Sequence, residues 1–363
     1  MHFLNHNIRF MNIITIVGAR PQFVKAAVVS REIGKHADIH ETIIHTGQHF
    51  DPNMSDLFFE EMRIPAPGYN LNINSLSHGA MTGKMLEEIE KVLLDKKPDW
   101  VLVYGDTNST LAGALAAKKL HIKVAHVEAG LRSFNMEMPE EINRILTDRI
   151  SDILFCPTET AIRNLQNEGF GHFPSRIVLS GDVMLDAALF YRQYSRPPQI
   201  ELNRDFVLAT LHRAENTDRP QNLLEIIRAL ETISREQDVI LPLHPRTRAK
   251  LEALNYDTRH SSIRFIEPVG YLEMIYLLDK CSLVMTDSGG LQKEAFFFRK
   301  YCITLRNETE WTELVDHGYN ALAGNLYDKI MQAYREQPHP DFSTLLYGDG
   351  HAAKVIVDTL IRV

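Results

Sequence analysis

Short runs of apolar residues alternate along the chain with longer segments in which apolar residues recur every three or four positions. The short runs are rich in valine and isoleucine, as is typical of buried parallel strands, and the longer segments are typical of helices covering such a sheet. The pattern therefore predicts an α/β protein with parallel sheets and crossover helices. The clearest predicted helices are His78–Leu94 and Thr107–Lys119. The predicted strands are Asn12–Val17, Ile39–His45, Trp100–Gly105, Lys123–Glu128, Asp152–Cys156, Arg176–Ser180, Phe206–Leu211, Val239–Leu243, Ile263–Ile266, Ser282–Thr286 and Tyr301–Leu305.

The alternation stops at the polar, proline-containing stretch Tyr194–Gln199 and then begins afresh. We therefore predict two similar domains, 11–193 and 199–346, which suits a chain of 363 residues. Residues 347–363 are predicted to form a terminal helical segment, and residues 1–10 a dispensable, disordered extension. Ligands of open parallel sheets bind beyond the carboxyl ends of the strands. We therefore expect a cleft between the two sets of strand ends.

The composition is that of an ordinary globular protein, with 44% hydrophobic and 24% charged residues. The net charge of −8 gives no general attraction to nucleic acid or to an anionic membrane. No apolar run approaches the roughly 20 residues that span a bilayer, and we expect a cytoplasmic protein. The cysteines lie in or beside apolar runs without a C-x-x-C pair, which favours three buried thiols: Cys156, Cys281 and Cys302.

A first candidate site follows the first strand, at Gly18–Pro21. Arg20 and Lys25 are placed to neutralise a phosphate beside the start of a helix. The segment has one glycine where a dinucleotide fingerprint has three, so no nicotinamide cofactor is indicated. Taken alone, the segment is equally explained as an ordinary strand-to-helix turn with a surface arginine.

A second candidate site, Asp287–Glu294, lies between a strand and a helix in the second half. Paired glycines allow backbone N–H groups to approach an oxyanion, and a serine at the helix cap adds a hydroxyl. A glutamate one turn later has the acceptors to bind a ribose diol. The alternative is a capped helix with a solvated glutamate, but an arginine after the next strand favours a phosphate site. The candidate ligands are Ser288, Gly289, Gly290, Glu294 and Arg306.

Three acidic residues, Asp106, Glu128 and Glu140, are predicted at strand ends in the first half. Carboxylates that converge shift one another's pKa values apart, as acid and base roles require. The structural alternative is that Asp106 caps the following helix and Glu140 stabilises a first helical turn. Three such positions together favour a catalytic site.

Two histidines follow successive strands of the second half, at His212 and His244. Histidine suits proton transfer or phosphate contact near neutral pH, and we expect both in the site. The pair His45 and His49 has a spacing found in metal sites, but a glycine between them and the lack of a third ligand argue against metal. No metal is predicted.

In this order, these segments resemble the non-hydrolysing UDP-N-acetylglucosamine 2-epimerase family, and the resemblance covers nearly the whole chain from Asn12. The motifs are GARPQFVK at Gly18–Lys25, HTGQH at His45–His49, YGDTNST at Tyr104–Thr110, HVEAGLRS at His126–Ser133, MPEEINR at Met138–Arg144, HRAEN at His212–Asn216, LHPRT at Leu243–Thr247 and TDSGGLQKEA at Thr286–Ala295.

The resemblance implies two Rossmann-like domains in a GT-B arrangement, a C-terminal helix that returns to the first domain, a homodimer and no cofactor. It also implies a reaction in which UDP is eliminated from C1 and C2 and then added back with the opposite configuration at C2. By this resemblance the catalytic residues are Asp106, Glu128, Glu140 and His212. The UDP-binding residues are Arg20, Lys25, Ser288, Gly289, Gly290 and Glu294.

Within the family, LRSFNMEMPEEINR, LQKEAFFF and NETEW resemble a branch that epimerises UDP-2,3-diacetamido-2,3-dideoxy-D-glucuronate for bacterial surface polysaccharides such as lipopolysaccharide O-antigen. We expect this substrate, with UDP-N-acetylglucosamine as the alternative. Phe50 replaces a basic residue of the better-studied branch, which argues against that branch's allosteric site. Three other classes stay open at this stage: a GT-B glycosyltransferase, a hydrolysing epimerase and a sugar-nucleotide-binding protein without catalytic activity.

Overall fold

A computed structural model describes residues 10–48, 59–60, 62–202 and 205–363. The predicted extension 1–10 therefore lies outside the described residues except for Phe10, and His49 and Phe50 lie outside them as well. By its internal contacts the chain divides into two compact units. The first ends at Ala187 and also includes Leu345–Val363, and the second is Ala188–Thr344.

The first unit contains a seven-stranded, entirely parallel sheet in the order β3-β2-β1-β4-β5-β6-β7. Its strand order reverses direction between β1 and β4, and this switch point is where open parallel sheets bind ligands. The strands are β1 Met11–Val17, β2 Ile39–His45, β3 Tyr69–Asn70, β4 Trp100–Tyr104, β5 Lys123–Val127, β6 Ile153–Cys156 and β7 Arg176–Leu179. The helices are α1 Arg20–Ile33, α2 His78–Lys96, α3 Asn108–Lys119, α4 Pro139–Ile150, α5 Glu159–Asn167 and α6 Val183–Arg192, which runs into the second unit.

The second unit repeats this plan with a six-stranded parallel sheet in the order β10-β9-β8-β11-β12-β13. Its switch point lies between β8 and β11. The strands are β8 Phe206–Thr210, β9 Asp238–Pro242, β10 Arg264–Ile266, β11 Leu283–Thr286, β12 Tyr301–Thr304 and β13 Asn320–Leu322. The helices are α7 Ala214–Thr217, α8 Pro220–Ile233, α9 Pro245–Ala253, α10 Tyr271–Lys280, α11 Gly289–Phe297, α12 Thr312–Asp316 and α13 Tyr327–Arg335.

The last helix, α14 Ala352–Ile361, belongs to the first unit and packs against α1. Asp186 accepts hydrogen bonds from the N–H groups of Ala352 and Ala353 at 3.0 and 2.8 Å. A carboxylate at this position satisfies backbone donors that have no partner inside the helix. The expected return of the C-terminal helix to the first domain is therefore present.

Every predicted strand is present, with ends that differ by at most one residue, and the predicted α/β class with two Rossmann-like domains is confirmed. Strands β4, β8 and β11 are buried along their whole length. Strands covered by helices on both faces need continuous apolar sequence, which explains why the pattern predicted them. The three cysteines are buried and free, as predicted. No helix among the described residues is long and apolar enough to cross a membrane.

The imidazole of His45 lies in the core of the first unit and is 3% exposed. It packs edge-on against the rings of Phe23 and Phe59, with centroid distances of 4.9 and 6.2 Å. Neither ring nitrogen has a hydrogen-bond partner among the described residues. Burial therefore lowers the pKa of His45 below its usual value of about 6.5, because the charged ring cannot be solvated there.

This burial predicts a loss of stability at acidic pH. Above a pH of about 6.5 His45 is neutral in both the folded and unfolded states, and it imposes no penalty. As the pH falls from there through the lowered pKa, the unfolded chain binds a proton that the folded chain excludes. Chemical denaturation at pH 7.5 and 5.5 should show that His45→Phe loses less stability than the wild type. Each pKa unit of depression contributes up to about 1.4 kcal/mol to that difference, and parallel losses in the two proteins would contradict the account.

Candidate functional site

The switch point of the first unit is formed by the turns that follow β1 and β4. Gln22 joins these turns: its side-chain oxygen accepts the N–H groups of Gly18 and Ala19 at 2.8 and 3.0 Å. Its amide nitrogen donates to the Tyr104 carbonyl at 2.7 Å and to the Thr110 hydroxyl at 2.9 Å. Gln22 is 2% exposed, and these bonds use its hydrogen-bonding groups fully. The glutamine therefore fixes the turn that carries Arg20.

Near the turn after β4, the side chain of Lys25 lies close to the carboxylates of Glu128 and Asp106. Lys25 forms an ion pair with Glu128. Gly105 has a φ of +62°, and a Cβ there would lie 3.3 Å from the Glu128 carboxylate and 3.4 Å from the Lys25 Nζ atom. Glycine at this position therefore leaves room for the pair. Glu128 itself has a φ of +72°, a conformation that non-glycine residues adopt only where surrounding contacts hold it.

Asp106 follows Gly105, and its carboxylate accepts a hydrogen bond from Arg144 Nη2 at 2.9 Å. The sequence left open that Asp106 caps the next helix, but the cap is Thr107, whose hydroxyl accepts the Thr110 N–H at 3.3 Å. Burial raises the pKa of Asp106, and the nearby carboxylates of Glu128 and Glu140 raise it further. The positive charges of Arg144 and Lys25 oppose this shift.

A cavity of about 180 Å³ opens at this place and lies wholly within the first unit. The predicted site residues Lys25, Asp106 and Glu140 line it, together with Gln22 and Asn143. Glu140 lies in the exposed first turn of α4. Glu128 adjoins the cavity through its ion pair with Lys25. Three of the predicted residues therefore line one cavity, and a fourth contacts it.

Helix α4 has an inverted polarity that positions this site. Its apolar residues Ile142 and Leu146 are 40% and 45% exposed, whereas its polar residues turn inward. Asn143 donates to the Asp106 carbonyl at 2.9 Å, and Arg144 joins Asp106 to Glu141. The buried polar positions are Glu141, Asn143, Arg144, Thr147 and Asp148. The sequence analysis did not identify these residues, although polar positions spaced for one helix face beside exposed apolar ones were the available signal.

In the second unit, Asp287 organises the switch point between β8 and β11. Its carboxylate accepts the backbone N–H of His212 at 3.0 Å, the N–H of Arg213 at 2.9 Å and the side-chain amide of Asn216 at 3.2 Å. It therefore holds the turn after β8 against the turn after β11. The sequence analysis identified Asp287 only as the first residue of the segment Asp287–Glu294 and did not predict its buried role.

The two predicted histidines, His212 and His244, lie close together, and His212 lies beside the Asp287 carboxylate. The rings of His212 and His244 are 5.5 Å apart, and His212 Nδ1 is 3.4 Å from Asp287. Burial lowers the pKa of His212, His244 and Arg213 lower it further, and Asp287 opposes the shift. His212 is therefore mostly neutral at neutral pH and is able to accept a proton. His244 also caps α9, where its Nδ1 accepts the Arg246 N–H at 3.2 Å.

Ser288 is the N-cap of α11, and its hydroxyl accepts the Leu291 N–H at 3.4 Å. Gly289 and Gly290 form the first two helical positions, where backbone N–H groups have no partner inside the helix. Trp311 donates its indole N–H to the Gly289 carbonyl at 2.9 Å and is 7% exposed. Glu294 lies on the same helix and is 9% exposed. This helix start has the features of an anion-binding site.

Arg306 places a guanidinium in the same unit. Its Nη1 donates to Glu310 at 3.0 Å, and its Nε is 3.2 Å from Glu215. The arginine side chain is 10% exposed. The structure therefore brings a predicted phosphate ligand into contact with two carboxylates that the sequence analysis did not name.

Two Rossmann-like domains, with carboxylates at one switch point and a capped helix start at the other, are typical of enzymes that act on nucleotide-linked substrates. The family model of UDP-N-acetylglucosamine 2-epimerase matches residues 31–361, and the chain belongs to this family of isomerases, as the sequence motifs predicted.

Relatives cover the full length of the chain. It is 56% identical to the UDP-2,3-diacetamido-2,3-dideoxy-D-glucuronate 2-epimerase of Pseudomonas aeruginosa, over 97% of this chain and 100% of that protein. Identity to a UDP-N-acetylglucosamine 2-epimerase of Methanococcus maripaludis is 44%, over 94% and 96% of the two chains. A crystal structure of the Methanocaldococcus jannaschii UDP-GlcNAc 2-epimerase with UDP-GlcNAc and UDP matches with a TM-score of 0.84 and 43% identity, over 97% of this chain and 100% of that one.

Proposed function

We propose that the protein is a non-hydrolysing 2-epimerase that interconverts the gluco and manno forms of UDP-2,3-diacetamido-2,3-dideoxy-D-glucuronate. The observation that carries this proposal is the 56% identity to the Pseudomonas aeruginosa enzyme of that name, along 97% of the chain. Identity to the Methanococcus maripaludis enzyme named for UDP-N-acetylglucosamine is lower, at 44%. Of the three sequence segments that favour this branch, the first carries Asn143 and Arg144, which contact Asp106, and the third carries Trp311, which donates to the Gly289 carbonyl.

The proposed chemistry begins with loss of UDP from C1 and of the proton from C2, which leaves a 2-acetamido glycal. The C2 proton is not acidic, because no carbonyl group is conjugated to that carbon. Departure of UDP must therefore precede or accompany proton removal, and stabilisation of the leaving diphosphate supplies much of the catalysis. UDP then adds back, and a proton reaches the opposite face of C2.

The geometry of the first unit supports the proton transfers. Asp106 has a raised pKa and Glu128 is paired with a lysine, so the two carboxyl groups differ in their surroundings. Acid and base roles need such a difference. We propose Asp106, Glu128, Glu140 and His212 as the catalytic residues.

The geometry of the second unit supports diphosphate binding. Free N–H groups at a helix start carry partial positive charge, and Ser288 adds a hydroxyl there. Glu294 on the next turn offers acceptors for the ribose. We propose that UDP is bound by Arg20, Lys25, His244, Ser288, Gly289, Gly290, Glu294 and Arg306.

We also propose where the enzyme works and how it assembles. Nucleotide sugars of this kind are made in the cytoplasm, and we propose that the enzyme works there in polysaccharide biosynthesis. We further propose a homodimer, because Ile142 and Leu146 expose an apolar strip on α4 that a partner chain is able to cover.

The substrate assignment is tested by comparing two compounds under the same conditions. The purified protein is given UDP-2,3-diacetamido-2,3-dideoxy-D-glucuronate or UDP-N-acetylglucosamine, and proton NMR follows the appearance of the manno epimer. We expect kcat/KM to be at least about 100-fold higher for the first compound, since a site built for polar substituents rejects an analogue that lacks them. Faster turnover of UDP-N-acetylglucosamine would show that the substrate is wrong while the reaction type is right.

A further inference from the structure

His126 lies on β5, two residues before Glu128, and is fully buried. Its two ring nitrogens both make short hydrogen bonds. Nδ1 is 2.7 Å from Asp148 Oδ1, and Nε2 is 2.7 Å from the Gly105 carbonyl oxygen. None of the proposed catalytic steps uses this histidine.

The two hydrogen bonds of His126 fix how its ring is held. A backbone carbonyl has no proton to donate, so Nε2 carries a proton and donates it to the Gly105 oxygen. Nδ1 is bound to Asp148 Oδ1, while Asp148 Oδ2 accepts hydrogen bonds from Arg132 Nη1 at 2.7 Å and from the Gly130 N–H at 3.1 Å. Both ring nitrogens are therefore bound to groups that lie next to the site.

We propose that His126 is a positioning residue that ties together the turns carrying Asp106 and Glu128. On one side its Nε2–H donates to the carbonyl of Gly105, the residue before Asp106. On the other side it binds Asp148, which accepts the N–H of Gly130, two residues after Glu128. His126 and Asp148 thus connect the two turns.

Both connected turns have left-handed backbone, with φ values of +62° at Gly105, +72° at Glu128 and +78° at Gly130. The two glycines adopt this conformation readily, but Glu128 keeps it only where surrounding contacts hold it. The His126–Asp148 pair supplies such contacts to both turns at once. The separation of the Asp106 and Glu128 side chains therefore depends on it.

The link is tested on the wild-type protein without substrate. In protein with ¹⁵N-labelled histidines, long-range ¹H–¹⁵N correlation spectra show which ring nitrogens keep their proton against exchange with water. We expect a slowly exchanging Nε2–H, because His126 is fully buried and donates this proton to the Gly105 carbonyl. A spectrum without any slowly exchanging Nε2–H would overturn the proposal, and this test needs no variant that folds.

The positioning role is tested with His126→Gln, and this part rests on the proposed epimerase reaction. A glutamine has a single amide group that is able to keep one of the two bonds, so the two turns lose their common link. We expect kcat to fall about 10- to 100-fold, the scale of a small misplacement of catalytic groups, with KM changed less than about threefold. The signal of the slowly exchanging Nε2–H should vanish as well. The exposed His172→Gln is the matched control and should leave both constants unchanged.

The outcomes separate the two proposals. An unchanged kcat in folded His126→Gln would remove the positioning role, whatever the spectrum shows. Absence of epimerase activity in the wild type would count against the proposed function, while the slowly exchanging Nε2–H in the substrate-free spectrum would still be observed.

Discussion

Replacing Glu128 with glutamine is expected to lower the rate of epimerisation by at least about 100-fold, the scale of general acid–base catalysis. Glutamine keeps the shape of the side chain and an oxygen that accepts from Lys25, but it cannot exchange a proton at C2. The ion pair with Lys25 and the left-handed φ of +72° indicate that this carboxylate is held in a fixed place. Its loss should therefore act on chemistry rather than on folding.

The measurement is kcat by NMR together with UDP affinity by calorimetry. UDP affinity should change little, because the glutamine keeps an acceptor for Lys25 and the helix start proposed to bind the diphosphate lies in the second unit. Glu252→Gln serves as control, since this exposed glutamate makes the same change of charge on α9. Near-normal turnover in Glu128→Gln would remove this residue from the mechanism.

Replacing Gly130 with alanine is expected to destabilise the first unit strongly. Gly130 has a φ of +78°, and a Cβ there would lie 2.5 Å from the backbone oxygen of Ala161, which cannot move aside. The left-handed conformation alone costs an alanine about 1–2 kcal/mol, and the overlap adds about 1–3 kcal/mol more. Because its N–H donates to Asp148 and it follows Glu128 closely, activity should fall too.

Gly169 offers a matched control for this substitution. Its φ of +82° is nearly the same, but no atom lies within 4 Å of the position a Cβ would take. Gly169→Ala should therefore show the conformational cost without the overlap. Urea denaturation should place Gly130→Ala about 1–3 kcal/mol below Gly169→Ala. Equal losses in the two variants would contradict the steric account.

Most of the fold could be predicted from the sequence, because parallel strands buried on both faces must be continuously apolar. The run Trp100–Tyr104, buried throughout, is an example. The short edge strands Tyr69–Asn70 and Asn320–Leu322 were missed, since two or three residues carry no pattern. Their pairing is set by the neighbouring strand rather than by their own sequence.

The candidate site was predicted less completely. Residues that stand at strand ends, such as Asp106 and His212, could be found because the carboxyl ends of parallel strands share one edge. The residues that hold them could not, because His126, Asp148 and Gln22 act through contacts 21 to 82 positions away in sequence. Apolar periodicity says nothing of such bonds.

Helix α4 is a second example of what apolar periodicity does not predict. Its buried face is polar and its exposed face carries Ile142 and Leu146, the reverse of a helix that covers an apolar core. A prediction that buries the apolar residues of a helix therefore buries the wrong face of α4. The polar face is explained by the hydrogen bonds that Arg144 and Asn143 donate to Asp106.

The central claim, epimerisation by elimination and re-addition of UDP, is tested most directly by the fate of the C2 proton. The wild-type protein is incubated in D₂O with UDP-2,3-diacetamido-2,3-dideoxy-D-glucuronate, and proton NMR follows C2 and the release of UDP. The account predicts deuterium at C2 of the manno product, with no lasting accumulation of UDP and free sugar. A manno product that retains the original C2 proton, or steady release of UDP without epimerisation, would contradict it.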